Sequence, residues 1–393
     1  MIRTDARIPN PLPAAFLRGG TSKGVFVNAR HLPMDDRDAW APVFLRLMGS
    51  PDAAYGRQLD GMGGGISSLS KVMVVGPPTT ADEPVDAEYT FAQIGVRDDV
   101  VDYTGNCGNL SSVAGVFAVD EGICKPEILD GEASSEYARA RVRLWNTNTR
   151  KRVDTTFPVL RASLKPVLNL EEAAIAGVPG RASQIILDFV SPAGARTGTL
   201  LPSGKPTETI QLDDGTEAAV TLMDCANPSV LVDLERSPSL FASQAHAPAS
   251  ALSLELDGDA QLMKRLELLR QEGARRMGLP PDAQAQPKIA LVSGARAQHQ
   301  GQEDVCVRAL SMGVPHKAVP MTLGLCVGVA ARVPGTVVSR HLGASQPREF
   351  VGIQHPGGLV EVGARFNAVT GAVLSANVLR TGRRLMQGAV YWD

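Results

Sequence analysis

The chain has 393 residues, more than one hydrophobic core serves well, so two domains of about 200 residues each are expected. With 44% apolar and 20% charged residues and a net charge of −2, it reads as an ordinary globular protein without the basic surface that a nucleic-acid partner requires. Residues 1–13 carry Arg3, Asp5 and Arg7 among prolines instead of a secretory apolar core, so a cytoplasmic location is expected.

The first element is a strand, a small polar turn and a strand at 16–27, where Phe16-Leu17-Arg18 and Val25-Phe26-Val27 flank Gly19-Gly20-Thr21-Ser22-Lys23-Gly24. A helical pattern covers 37–48, and an apolar run at 71–75 predicts a strand beginning at Lys71. The next helix is expected over 110–119, directly after Thr104-Gly105-Asn106-Cys107-Gly108-Asn109. A thiol held where a helix begins faces backbone N–H groups without intrahelical partners and the positive end of the dipole, which favours the thiolate. The same amides can cradle a carboxylate.

Further along, strands are expected at 141–145, 185–190, 289–292 and 335–338, and a short helix at 171–176. The segment 259–277 places Leu262, Leu266, Leu269 and Met277 on one stripe and stops at Gly278, ahead of Pro280 and Pro281. An apolar helix is expected over 314–331. Its least polar part, 318–331, is interrupted by Pro320, Gly324 and Gly328 and falls short of the about 20 residues a bilayer crossing needs, so no membrane partner is expected.

The order of elements hints at duplication. Val220-Thr221-Leu222-Met223 leads through Asp224-Cys225-Ala226-Asn227-Pro228-Ser229 into Val230-Leu231-Val232, as the 16–27 segment does, and Ala309-Leu310-Ser311-Met312-Gly313 then precedes the apolar helix as the Cys107 turn precedes its own. Strand-turn-strand and turn-helix are also common elements, so duplication and coincidence both stand at this level. The expected division is residues 1–184 and 185–375, with a C-terminal strand within 376–393, centred on 388–391, returning to the first domain. Two such modules would face each other across a cleft holding the substrate.

The five cysteines (107, 124, 225, 306 and 326) are odd in number and lack C-x-x-C spacing, and the six histidines (31, 246, 299, 316, 341 and 355) lack close ligand spacing. Neither a disulfide framework nor a metal site is expected. The glycines of 61–65 do not form the G-x-G-x-x-G register that opens a dinucleotide-binding helix, so no dinucleotide cofactor is expected.

Several segments in one order resemble the PrpF family, the methylaconitate isomerase group, whose fold is similar to diaminopimelate epimerase. They are Arg18 to Gly24, Gln58-Leu59-Asp60-Gly61-Met62-Gly63-Gly64, Ser70-Lys71-Val72, Gly105-Asn106-Cys107-Gly108-Asn109, Arg276-Met277-Gly278-Leu279, Ala309 to Gly313 and Arg384-Leu385-Met386. The resemblance implies an α+β fold of two similar domains, each a β-barrel-like roll around a central helix, with the active site between them. It also implies an isomerase that moves a carbon–carbon double bond in a small unsaturated tricarboxylate, with 2-methylaconitate as first choice, aconitate beside it, and a place in propionate metabolism. The runner-up is a 4-oxalomesaconate isomerase or tautomerase, and a non-catalytic polycarboxylate binder is the alternative of another class. The chain departs from the family's usual pattern at Gln354-His355-Pro356-Gly357 and at Gly65-Ile66-Ser67-Ser68-Leu69, which bears on the choice of acid.

The resemblance points to Lys71 as proton shuttle and to Cys107 as its acid/base partner. In the epimerase relatives two cysteines oppose each other, whereas the second-half turn here offers Ser311 and Met312, which disfavours a two-thiol mechanism. Carboxylate binding is expected from Thr21, Ser22, Ser70, Asn106, Gly108, Asn109, Ser311 and Met312, and from Arg276, which could instead be a solvated helix-end charge. The partner is a small polycarboxylate, and a homodimer is left open. His316 and His355 are expected to be hydrogen-bonded structural histidines.

Overall fold

In the computed structural model, which describes residues 7–79, 81–103, 106–130, 135–241, 250–254, 256, 259–283, 286–295, 304–311, 313–316, 318–342 and 350–393, the first hairpin forms as expected. Strands β1 (Leu12–Gly19) and β2 (Ser22–Asn28) pair antiparallel with Gly19 opposite Ser22, and Gly20 turns the chain at φ 52°, where a side chain is disfavoured. The chain divides into two compact units: Met1–Asp188 with Leu379–Asp393, and Phe189–Val378.

The first unit continues through α1 (Trp40–Met48), β3 (Lys71–Gly76), β4 (Ala87–Ile94), β5 (Val101–Asp102), α2 (Gly108–Ser111), α3 (Ala114–Asp120), β6 (Glu127–Asp130), β7 (Tyr137–Asn146), β8 (Lys151–Leu160), β9 (Ala173–Ile175) and β10 (Val178–Ala182). Within β11 (Ile185–Val190) the chain passes to the second unit. There it forms β12 (Glu208–Gln211), β13 (Glu217–Cys225), β14 (Asn227–Asp233), α4 (Ala260–Arg276), β15 (Lys288–Gly294), β16 (Val305–Ser311), β17 (Val314–Pro315), α5 (Met321–Ala330), α6 (Val337–His341), β18 (Phe350–His355) and β19 (Gly358–Phe366). It leaves within β20 (Val373–Arg380), and β21 (Gly382–Val390) runs antiparallel to β1 with Gly382 opposite Gly19.

Every residue of β3 is buried, which explains why it reads as a continuous apolar run after Lys71. Alternation divides its side chains between two faces. Val72 and Val74, with Val25 and Val27 of β2, pack against Trp40, Val43, Phe44 and Leu47 of α1. The opposite face carries Lys71 and Met73, together with Phe26, whose ring centroid lies 5.5 Å from that of Phe117 in α3. The paired helices α2 and α3 contact β1, β2, β3, β4, β7 and β8, so the strands curl around them.

The second unit uses the same plan. Val230 and Val232 of β14 and Ile289 and Leu291 of β15 pack with Leu262, Leu266, Leu269 and Met277, the stripe predicted on α4. Asp259 caps that helix by accepting from Leu262 N at 2.9 Å. Helix α5 is buried from Leu323 to Ala330 and contacts β13, β14, β18 and β19, as a helix apolar on all sides must. Gly328 lets it approach the sheet, since a Cβ there would sit 3.0 Å from Cγ2 of Val362.

Strand registers establish the duplication. β2 runs parallel to β3 with Val25 opposite Val72, and β14 runs parallel to β15 with Val230 opposite Ile289. Each then pairs antiparallel onward (β3 with β4, β15 with β16), each onward strand meets a short antiparallel strand (β5, β17), and each runs parallel to the first strand of a hairpin (β7–β8, β18–β19). Even the turns match: Gly20 N donates to Thr381 O at 2.9 Å and Ala226 N to Pro192 O at 2.8 Å, with φ 52° and 58°. By this register Lys71 corresponds to Lys288.

Four sequence expectations are corrected. The helix at 171–176 is the hairpin of β9 and β10, turned at Gly177 with φ 82°. The strand at 335–338 is the start of α6, where Thr336 accepts from Ser339 N at 3.1 Å. The helix from 314 begins only at Met321, because Val314 and Pro315 pair with β16. Consequently Ser311 closes a strand and opens no helix. The helix at 110–119 is split into α2 and α3, with shorter-range bonds at Ser112 and Val113.

One charge pair gives a pH prediction. His341 lies in the second unit with Nε2 3.2 Å from the buried Asp233 carboxylate, which raises its pKa above the usual 6.5 despite burial. A histidine raised on folding adds stability that is full below 6.5 and lost as pH climbs through the raised value. Thermal midpoints should therefore fall more for the native chain than for His341→Gln as the pH is raised from 6.5; parallel curves would remove the effect.

Candidate active site

Lys71 begins β3, 8% exposed, and its Nζ donates to Oε1 of Gln93, the residue opposite it on β4. The amide of Gln93 cannot turn around, because its Nε2 donates to Ser70 O at 2.9 Å and Ser67 O at 3.1 Å. Nζ also lies 5.0 Å from the centroid of the Phe91 ring. The amine thus meets an amide oxygen and a ring rather than a carboxylate.

The approach to Lys71 is braced from below. Gln58, 1% exposed and at φ 55°, accepts at Oε1 from Ser70 Oγ (2.6 Å) and Gly65 N (2.9 Å) and donates from Nε2 to Ser50 Oγ at 2.7 Å. Asp52 fixes this loop by accepting from the backbone N–H of Tyr55, Arg57 and Gln58, which holds its carboxyl at about 2.

Phe91 and Tyr89 share the β4 face that carries Gln93. Tyr89 is buried, which pushes its phenol up to about 12, and its hydroxyl bonds to Ser111 Oγ at 2.9 Å, Asn146 Nδ2 at 3.1 Å and Asn106 Oδ1 at 3.4 Å. The Cys107 turn is therefore pinned to the same sheet face as Lys71. Strand β2 joins the two: the Ser22 hydroxyl lies 3.9 Å from Cys107 Sγ, and Gly24 on the same face abuts both Lys71 O and Leu110. A Cβ at Gly24 would come within 2.8 Å of that carbonyl oxygen.

Around Cys107 the polar groups form a chain. Asn109 donates from Nδ2 to Thr21 Oγ1 at 3.0 Å and to Ser22 Oγ at 3.4 Å, and its Oδ1 accepts from Arg380 Nε at 3.0 Å. Burial pushes Arg380 down to about 10, with Cys107 opposing, so the guanidinium is charged at neutral pH.

A family model described as PrpF protein matches residues 10–393. The chain belongs to the PrpF family. Among its PrpF relatives, 3-methylitaconate isomerase of Eubacterium barkeri is 33% identical over 97% of each chain. The 2-methyl-aconitate isomerase of Cupriavidus necator is 32% identical over 96% of each, and the (4E)-oxalomesaconate Delta-isomerase of Novosphingobium sp. (strain KA1) is 30% identical over 96% of this chain and 97% of its own. The crystal structure of methylitaconate-delta-isomerase, 32% identical, superimposes with a TM-score of 0.80 over 97% of this chain and 95% of that one. This PrpF chain is an isomerase with the mixed, two-unit fold expected of it.

Of the residues that the PrpF resemblance singled out, Thr21, Ser22, Asn106, Cys107, Gly108 and Asn109 form one cluster in the first unit, on the sheet face that carries Lys71. Ser70 belongs to the support instead: it is fully buried and its hydroxyl bonds Gln58 Oε1 and Ile66 O. In the second unit, the guanidinium of Arg276 is committed to Glu208 at 2.7 Å and Glu272 at 3.1 Å, the helix-end role rather than a free anion grip. Met312 lies outside the described residues. His316 and His355 bond through Nδ1 to nearby backbone, at Ala318 and Gly357, as structural histidines do. Among the described residues no three His, Cys, Asp or Glu side chains gather as metal ligands, and no helix is long and apolar enough to cross a membrane. Gln93 and Arg380 carried no sequence signal, because each matters only through its fold neighbour.

The Lys71–Gln93 pair makes a pH prediction. Gln93→Glu puts a carboxylate beside the amine and favours its charged form. The pH at which activity appears should rise by about one unit or more. An unmoved pH profile would mean that Lys71 is not the titrating base.

Proposed function

We propose that the chain moves a carbon–carbon double bond within a small unsaturated polycarboxylate by a 1,3-proton transfer, with 2-methylaconitate as the first substrate to test. The observation that carries this reading is the buried Lys71 amine, oriented by an immobile amide and placed on the sheet face that bears the Cys107 turn. The relatives' names point to one chemistry, since methylitaconate, methylaconitate and oxalomesaconate are all unsaturated polycarboxylates with an allylic or otherwise acidified C–H.

In this reading Lys71 takes the proton from the allylic carbon, and the electron pair spreads through the double bond into the conjugated carboxylate. Cys107 returns a proton to the far carbon, and the ammonium of Lys71 restores the thiol after turnover. Positive and hydrogen-bonding groups must stabilise the intermediate anion, and the Thr21, Ser22 and Asn109 cluster is aligned for this. No net redox change or group transfer occurs.

The test is to incubate the protein in deuterated water with 2-methylaconitate, aconitate, methylitaconate and 4-oxalomesaconate and to follow vinyl and methylene proton resonances. Isomerisation with deuterium entering the shifted position is expected for one of them. Turnover of 4-oxalomesaconate alone would move the assignment to that acid. Tight binding without exchange would favour a non-catalytic binder.

A further inference from the structure

The sulfur at position 107 was expected to sit at the positive end of a helix dipole, but the helix it caps, α2, has only four residues before the bonding pattern breaks. So few aligned peptides supply little field. The positive charge at this turn comes instead from the far end of the chain. The pairing of β1 with β21 brings Thr381 against Gly20, and Arg18 locks the junction by donating from Nη1 to Gly20 O at 2.9 Å and to Thr381 O at 3.1 Å. Arg380, immediately before, is thereby laid against Asn109; a Cβ at Gly20 would come within 3.1 Å of its Cδ.

We propose that Arg380 holds a carboxylate of the substrate beside Cys107. This deepens the isomerase reading and rests on it only for the identity of the acid. The guanidinium has five N–H donors, and the oxygens it meets, Asn109 Oδ1 through Nε and Leu379 O through Nη1 at 2.8 Å, are both neutral. The remaining N–H donors of its fork, set beside Cys107, match the two oxygens of a carboxylate, whose charge would add to that of the sulfur in offsetting the desolvation of the guanidinium. By the register that matches Gly20 to Ala226 and Thr381 to Pro192, the corresponding position in the second unit is Ser191. The duplicated scaffold therefore holds the matching turn without an arginine at this position.

Two readouts test it separately. Cys107 alkylation, followed by peptide mass mapping, compares anionic iodoacetate with neutral iodoacetamide; in each, sulfur attacks the methylene carbon, a C–S bond forms and iodide leaves. The iodoacetate-to-iodoacetamide rate ratio at Cys107 should drop about tenfold in Arg380→Met and recover in Arg380→Lys, which restores the charge. An unchanged ratio in a folded Arg380→Met protein overturns the proposal, whatever the substrate. Calorimetry with tricarballylate, a saturated tricarboxylate that cannot turn over, should show binding weakened about 100-fold in Arg380→Met and only partly restored in Arg380→Lys, which cannot bond in a bidentate way. Equal affinity in all three proteins also overturns it. Failure of the native chain to bind any polycarboxylate would reject the substrate class instead, leaving the alkylation ratio to decide on Arg380.

Discussion

Lys71→Met should abolish turnover, lowering the rate by about 10³-fold to 10⁴-fold while the protein stays folded, as expected for loss of the group that moves the proton. Methionine has nearly the length of lysine and suits a site where the side chain lies against Phe91 and is largely sheltered. The thermal midpoint should accordingly change by a few degrees at most. Lys71→Arg should not rescue activity, because a guanidinium stays protonated and cannot act as the base. Cys107→Ser should lose less than Lys71→Met if the hydroxyl can still pass a proton. Retention of more than a tenth of native solvent exchange in Lys71→Met would remove the amine from the mechanism.

What could be read from the amino acids alone was what local pattern controls. The fully apolar Val72 to Val75 marked a strand, and the Leu262, Leu266 and Leu269 stripe with Gly278 marked α4. The errors came where a turn or a cap outweighed composition. Glu171 to Ala176 consists of fair helix formers, yet the Gly177 turn pairs it with the following segment. Val337 and Val338 look like strand residues, but the Thr336 cap and the turn before it begin a helix. The thiol and amine of the candidate site were legible through motif resemblance. Gln93 and Arg380 were not, because register across β3–β4 and the meeting of the first and last strands place them, and neither is encoded in nearby residues.

Gly19→Ala should cost activity about 100-fold while costing roughly 1–3 kcal/mol of stability, the range for inserting a methyl into packed structure. A Cβ at Gly19 would collide with the carbonyl oxygen of Asn109 and stand 2.9 Å from Ser112 Oγ. The carbonyl belongs to the backbone of α2 and cannot rotate away, so the β1–β2 turn and the Cys107 turn must separate. That movement stretches the bonds from Asn109 to Thr21, Ser22 and Arg380 together, misplacing every group around the sulfur. Gly122→Ala is the matched control. Gly122 has φ 67° with open space around a Cβ, so the substitution there should cost about 1–2 kcal/mol of backbone strain with native kinetics. If both variants lose activity in proportion to their melting temperatures, stability alone explains Gly19; if only Gly19→Ala loses it, the close approach of the two turns is a catalytic requirement.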